Sequence, residues 1–258
     1  MEFSRRSLLA GMGAAFAAAT IPPRKAQASE GASRNMTLID LSRCDGCPNR
    51  DTPACVSACR AANADAFPEP DPKMLKDYWP QKKHEDWSDK RHVTDKLTPY
   101  NWLAVQSLTV EQDGKQVDVS VPRRCMHCDN PPCVKLCPFG VAKKAKTGEV
   151  YIDDKGCMGG AKCRTVCPWN IPQRQAGVGV YRYMDPMPVG GGEMFKCDGC
   201  RDRVARGEKP ACVQACPRGA MTFGPRNKIV ARAKKLAHRM DGHIYGLDEN
   251  GGTATVYV

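Results

Sequence analysis

Residues 124–140 read RCMHCDNPPCVKLCPFG, and the four cysteines in that stretch, Cys125, Cys128, Cys133 and Cys137, are closed by Pro138. Two thiols stand two residues apart, a third follows a short loop, and a fourth comes three residues later. The same grammar recurs at Cys44, Cys47, Cys55 and Cys59, and again at Cys197, Cys200, Cys212 and Cys216, the last followed by Pro217. A shortened version holds Cys157, Cys163 and Cys167, followed by Pro168. These groups use all 15 cysteines of the 258-residue chain. An odd count leaves one thiol over from a fully paired disulfide framework. Close C-x2-C and C-x3-C pairs also bridge poorly. Thiolate-bound metal is therefore the first reading. Structural four-cysteine zinc sites are the alternative, but zinc explains neither the repeated Cys-Pro nor a group of three.

Each complete group resembles the bacterial ferredoxin run C-x2-C-x2-C-x3-C-P, with the middle loop stretched to 7, 4 and 11 residues. In that run the closely spaced cysteines wrap one cubane and the last cysteine serves the neighbouring cluster. The spacing predicts a short helix that starts at the last cysteine, with the following proline opening it. Backbone amides are then free to donate to the cluster sulfurs. In the third group the missing second cysteine falls on Gly160, which has no side chain to ligate iron. A cubane corner without a thiolate tends to lose its iron, so three cysteines imply a [3Fe–4S] cluster. A [4Fe–4S] cluster whose fourth iron takes water or a non-cysteine side chain stays open. Met158 reads as packing.

Hydrophobic residues make up 41% of the chain and charged residues 26%, an ordinary globular composition. Aromatics at 7%, with 23 glycines and 20 prolines, indicate a loop-rich chain with a thin apolar core. The formal net charge of +11 would by itself suggest nucleic acid or anionic lipid. The clusters supply a better account. A [4Fe–4S]2+ core with four thiolates and a [3Fe–4S]+ core with three are each formally −2, and buried anions need compensation. Arg43, Arg60, Arg123, Arg124, Lys135, Lys162, Arg164, Lys196, Arg201, Arg203 and Arg218 lie within or beside the groups. Taken singly, each reads as a solvated charge.

Residues 1–28 read as an address. Arg5-Arg6 precede an apolar run from Leu8 to Ile21, and Ala26-Gln27-Ala28 follows as a cleavage site. That is the pattern of a twin-arginine export signal, and the apolar run is shorter than the roughly 20 residues that span a bilayer. The four basic residues and one acid removed with it leave a polypeptide of formal charge +8 that begins at Ser29. The expected location is the periplasm, with membrane association only through a partner and no direct membrane span.

The fold expected is α+β: two pseudo-symmetric ferredoxin-like [4Fe–4S] dicluster modules, a long loop-rich insertion and a β-hairpin. Strand-like runs occur at Met36–Leu41, Val150–Asp153 and Ala220–Phe223. Residues 29–63 form the first half of an outer module and 177–225 its second half, around an inner module at 122–176. The insertion and hairpin occupy 64–121. Within it, Phe67 to Lys96 is irregular and carries Trp79 and Trp87; Trp102–Val110 and Val117–Val121 pair across Asp113-Gly114. Gly177 and Gly190–Gly192 mark turns. Residues 226–258 read as a tail ending in a strand-like TATVYV.

With the groups in this order, the chain resembles the four-cluster iron–sulfur subunits of respiratory oxidoreductases, the formate dehydrogenase, dimethyl sulfoxide, polysulfide or nitrate reductase and uptake hydrogenase type. The matching stretches are RCMHCDNPPCVKLCPFG, CRTVCPWNIPQ, KCDGCRDRVARGEKPACVQACPRGAMTFG and YGLDENGGTATVYV. The resemblance implies crossed ligation. One cluster takes Cys44, Cys47, Cys55 and Cys216, and a second takes Cys197, Cys200, Cys212 and Cys59. A third takes Cys125, Cys128, Cys133 and Cys167, and the three-iron cluster takes Cys157, Cys163 and Cys137. It also implies single-electron relay between a catalytic subunit (a molybdopterin enzyme or hydrogenase-like) and a membrane quinone-reactive protein or multihaem cytochrome. No catalytic residue set is visible and no nucleic-acid role is expected. A free-standing polyferredoxin carrier is the rival. His127 reads as a polar loop residue, and Trp169 as packing near a cluster.

Overall fold

The computed structural model describes residues 35–77, 82–112, 114–184 and 191–258. The leader reading of residues 1–28, Trp79, Asp113 and Gly190 lie outside the described residues. In chain order the elements are β1 (Asn35–Ile39), α1 (Ala54–Ala62), β2 (Ala104–Gln112), β3 (Lys115–Arg123), α2 (Pro132–Lys135), β4 (Ala142–Lys144), β5 (Val150–Ile152) and α3 (Lys162–Thr165). They continue with β6 (Gln173–Gln175), β7 (Glu193–Phe195), α4 (Arg201–Ala205), α5 (Ala211–Ala215), β8 (Met221–Pro225), α6 (Arg226–Met240) and β9 (Thr255–Tyr257).

Strand β1 is buried from Met36 to Ile39, the continuous run of a strand covered on both faces. It is the middle of a three-stranded sheet in the order β8-β1-β9. It pairs antiparallel with β8, Asn35 opposite Pro225 and Ile39 opposite Met221. It pairs parallel with β9, Thr37 opposite Thr255 and Ile39 opposite Tyr257. The first described strand is thus stitched to two from the far end of the chain. The other strands pair locally as the ribbons β2–β3, β4–β5 and β6–β7.

Helix α6 covers one face of the sheet. Its stripe of Ile229, Ala233, Leu236 and Ala237 packs on Met36, Leu38, Val256 and Val258. Burying each large side chain of that stripe contributes about 1.5–3 kcal/mol. Pro225 precedes the helix, where a missing N–H is harmless. Asp241 ends it in the left-handed region (φ 48°), with Gly242 N–H closing on the Ala237 carbonyl at 2.9 Å. The sequence reading took this stretch only as tail, although the i, i+4, i+7 stripe is visible in it.

The helices of the cysteine groups do not start where the spacing placed them. In the second, third and fourth groups they lie before the last cysteine, and in the first group Cys59 sits inside the helix. Proline flanks the start of three of them: Pro53 before α1, Pro131 and Pro132 at α2, Pro210 before α5. Cys137 and Cys167 come just after α2 and α3, and Cys216 caps the end of α5. The proline after the last cysteine therefore stops a helix rather than opening one, because it has no N–H to continue the ladder. The first group shows the converse: Arg60 follows Cys59 instead of proline, and α1 runs on to Ala62.

Between α1 and β2 the chain is an arm of 3-10 turns at Ala64–Ala66, Pro72–Met74 and Ser88–Lys90. The arm is buckled to the loops around β6. Ala176 N–H donates to the Glu85 carbonyl at 2.8 Å, and Trp87 N–H donates to Gln175 Oε1 at 2.9 Å. Tyr181 Oη donates to the Met74 carbonyl at 3.0 Å. Arg164 closes a bidentate pair on Glu85 at 2.6 and 2.7 Å. Among the described residues no helix is long and apolar enough to cross a membrane. The largest core cluster includes six cysteines, Cys55, Cys59, Cys125, Cys128, Cys197 and Cys212, among Ile39, Val56, Leu103 and Ile171.

Candidate metal centres

The first two cysteines of each complete group lie on a loop and the third on a short helix. The loops need left-handed backbone, and the groups divide two and two in how they obtain it. Gly46-Cys47 and Gly199-Cys200 both carry paired positive φ angles, 70° with 59° and 78° with 53°. A Cβ on Gly46 would come within 2.6 Å of Ser120 Oγ, so glycine serves both conformation and space there. In the other two groups a positive φ sits one residue earlier, on His127 (48°) and Gly159 (64°), while Cys128 and Gly160 are outside that region; the third group adds a second left-handed residue at Ala161 (53°). Gly160 thus shares with Cys128 a left-handed residue before it.

The fold gathers the thiols across group boundaries. Cys44, Cys47, Cys55 and Cys216 line one cavity of about 20 Å³. Cys125, Cys128, Cys133 and Cys167 line a second, also of about 20 Å³. Cys137, Cys157 and Cys163 line a third with Gly159 and Gly160, and at about 70 Å³ it is the largest of the three. A Cβ built on Gly160 meets nothing within 4 Å, so the missing corner is open space. The remaining four meet as well: burial, then the neighbouring Cys197, Cys212 and Cys200 thiols, push the Cys59 thiol well up. Each set joins cysteines of one group to the last cysteine of another. Among the described residues, no three His, Cys, Asp or Glu side chains converge as a single ion requires.

Electrostatics point the same way. Burial raises Cys55, Cys128, Cys163 and Cys197 to about 12, and Cys133 and Cys200 to about 11. Thiols in that state are poor ligands until a cation draws off the proton. Positive charge is already built in. Arg124, 3% exposed, donates from Nη1 to Cys212 Sγ at 3.6 Å and from Nη2 to Thr37 Oγ1 at 2.7 Å and Thr255 Oγ1 at 3.2 Å. Lys196, 5% exposed, donates to Cys125 Sγ at 3.5 Å. Despite desolvation, which favours losing the proton, thiol neighbours hold both cations above their ordinary pKa. These two depart from the solvated reading of the basic residues, whereas Arg164 pairs with Glu85, and Arg218 with Asp45 at 3.3 Å near the surface.

Sulfur acceptors are met by further donors. Gly199 N–H reaches Cys197 Sγ at 3.4 Å, and Ala220 N–H reaches Cys216 Sγ at 3.3 Å. Asn250 Nδ2 reaches Cys128 Sγ at 3.3 Å, and Asn63 Nδ2 reaches Cys59 Sγ at 3.7 Å. Trp169 lines the Cys125 cavity, and its Nε1 donates to Tyr245 Oη at 2.7 Å. His127 is buried, with Nε2 at 3.6 Å from Cys197 Sγ, a contact the loop reading missed. Its place inside a C-x2-C pair was the available signal. Asn250 and the two threonines carried none, since they lie far from their partners in sequence.

Two family models, each described as a 4Fe-4S dicluster domain, match residues 43–141 and 117–226. The Hydrogenase-2 operon protein HybA of Escherichia coli O157:H7 is 32% identical, over 84% of this chain and 67% of that protein. The B subunit of the anaerobic dimethyl sulfoxide reductase of Escherichia coli K12 is 32% identical over 78% of each protein. The iron–sulfur subunit of the nitrate-inducible formate dehydrogenase of Escherichia coli K12 is 29% identical, over 86% of this chain and 66% of that one. Cysteine sets gathered around shared cavities, and relatives of this kind over most of the chain, lead to one conclusion: the protein belongs to the 4Fe-4S dicluster family of iron–sulfur electron-transfer subunits of respiratory oxidoreductases.

Proposed function

We propose that the chain is a four-cluster wire. Three [4Fe–4S] clusters are held by Cys44, Cys47, Cys55 and Cys216; by Cys59, Cys197, Cys200 and Cys212; and by Cys125, Cys128, Cys133 and Cys167. One [3Fe–4S] cluster is held by Cys137, Cys157 and Cys163. The observation that carries this reading is the exchange of last cysteines between groups, seen at the cavities. It yields an outer module closed by the sheet β8-β1-β9 and an inner one at 122–176. The like backbone of the first and fourth groups, and of the second and third, supports an internal pseudo-symmetry in each of the two modules.

The sets follow one another in a row. Cys55 feels Cys212 more than any other thiol, Cys197 feels Cys125, and Cys163 feels Cys133 more than any thiol outside its own set. Helix α1 carries Cys55 of one set and Cys59 of the next, so a single rigid element fixes that spacing. The clusters, when bound, supply one-electron chemistry; the chain spaces them, shields them from water and offsets their charge. The wire runs from a catalytic subunit, a molybdopterin enzyme or hydrogenase-like protein, to a membrane quinone-reactive protein or multihaem cytochrome. The chain has no catalytic residues of its own.

Holoprotein purified anaerobically should contain about 15 irons per chain with acid-labile sulfide, and show a [3Fe–4S] EPR signal when oxidised. Sixteen irons without that signal would overturn the three-iron assignment. Absence of sulfide would overturn the whole reading. Residues 1–28 are proposed as a twin-arginine leader delivering the folded protein to the periplasm. Replacing Arg5 and Arg6 together by Lys should leave the protein in the cytoplasmic fraction; unchanged export sinks this assignment.

A further inference from the structure

Two buried polar side chains reach thiols of two different sets, and both are oriented by the same residue. Val150, at the start of β5, donates its N–H to His127 Nδ1 at 2.9 Å and accepts from Lys196 Nζ with its carbonyl. With Nδ1 acting as acceptor, the neutral imidazole carries its proton on Nε2, aimed at Cys197 Sγ 3.6 Å away. The backbone N–H of His127 donates to Cys125 Sγ at 3.5 Å. Lys196 runs the other way: it neighbours Cys197 in sequence, donates to the Cys197 carbonyl at 3.0 Å, and reaches Cys125 Sγ at 3.5 Å. His127 and Lys196 are 3% and 5% exposed, so water does not compete for these bonds. Ordinary core packing has no need to bury an ammonium against a thiol and two carbonyls; such a group is costly unless an anion faces it.

We propose that His127 and Lys196, held in place by the Val150 peptide, are positioning residues that raise the reduction potentials of the two adjacent clusters ligated by Cys125 and Cys197. This inference rests on the four-cluster reading above. The physical cause is the sign of the charge change. One-electron reduction makes a cluster more negative, and hydrogen bonds or a cation at its sulfurs stabilise the reduced form more than the oxidised one. The two devices are crossed. The His127 ring acts on the Cys197 cluster, and the Lys196 ammonium acts most on the Cys125 cluster. The set of Cys44, Cys47, Cys55 and Cys216 meets neither group, and the set of Cys137, Cys157 and Cys163 meets only the charge of Lys196, at Cys163.

The test is an EPR-monitored redox titration of the anaerobically purified full-length holoprotein, with iron and sulfide counted on every sample. His127→Phe keeps the ring volume and removes the donor. It should lower one midpoint potential by about 59 mV, a tenfold change in the oxidised-to-reduced ratio of a one-electron couple. Lys196→Met should lower a different midpoint by at least as much. The midpoint of the cluster held by Cys44, Cys47, Cys55 and Cys216 should stay at its wild-type value in both variants. His127→Gln and Lys196→Arg, which keep a donor, should restore most of each shift, a rescue that a purely structural role would not give. Full iron content with all four midpoints unchanged, or an equal shift of all four, overturns the inference. Wild-type protein lacking iron and sulfide overturns instead the reading on which it rests. Should Lys196→Met fail to load iron, His127→Phe, which removes no charge, decides the question alone.

Discussion

At the scale of single residues, Gly160 bears most on the redox properties. It occupies the position of a ligand, follows a left-handed residue as Cys128 does, and faces open space. A thiol can therefore be restored there without moving the fold. Gly160→Cys should raise the iron content by one per chain, remove the [3Fe–4S] EPR signal and lower that cluster's potential; an unchanged oxidised spectrum with full iron content counts against the assignment. The 15 cysteines were all legible in the sequence, because ligand spacing is a local property. The two cations that reach their sulfurs were legible only as members of a long set. Arg124 and Lys196 differ from Arg201 or Arg218 in burial, and burial is decided by elements distant in the chain.

At the scale of elements, prolines punctuate the cysteine groups. In the second and fourth groups proline before the third cysteine starts a helix and proline after the last ends it. The arm between α1 and β2 depends on a different device. Burial works against ionisation of Glu85, but the Arg164 guanidinium outweighs it and holds the carboxyl below its usual pKa. The pair's contribution is therefore complete above the unfolded value near pH 4.3 and is lost as pH falls through the lower folded value. A charged hydrogen-bonded pair of this kind contributes about 2 kcal/mol. Arg164→Met should make the arm cleave faster in limited proteolysis at neutral pH while the iron content stays unchanged. Equal cleavage rates in the two proteins would show that the backbone bonds at Glu85 and Trp87 suffice. That the segment is irregular was readable from its prolines and charges; where it docks was not, since Glu85 and Arg164 are 79 residues apart.

At the scale of the whole molecule, the sheet β8-β1-β9 joins the two ends of the described chain, and the proposed outer clusters depend on that closure. Removing everything after Ala205 deletes Cys212 and Cys216, both partners of β1, and helix α6. The truncated protein should lose two clusters, about half its iron, and retain the three-iron signal from the inner module. Retention of all the iron would contradict the split outer module. Stability should suffer too, because Met36 and Leu38 lose the apolar face of α6.

Local sequence specifies the chemistry: thiol spacing at short range selects iron–sulfur clusters, and a missing side chain marks one corner as open. Which thiols share a cavity, which cations are buried against them, and that His127 and Lys196 meet at one peptide follow from the folded chain. The difference is one of reach. A loop and one helical turn specify neighbours only within about ten residues, whereas the crossed partners, such as Cys44 with Cys216, are brought together by strand pairing and core burial between opposite ends of the chain.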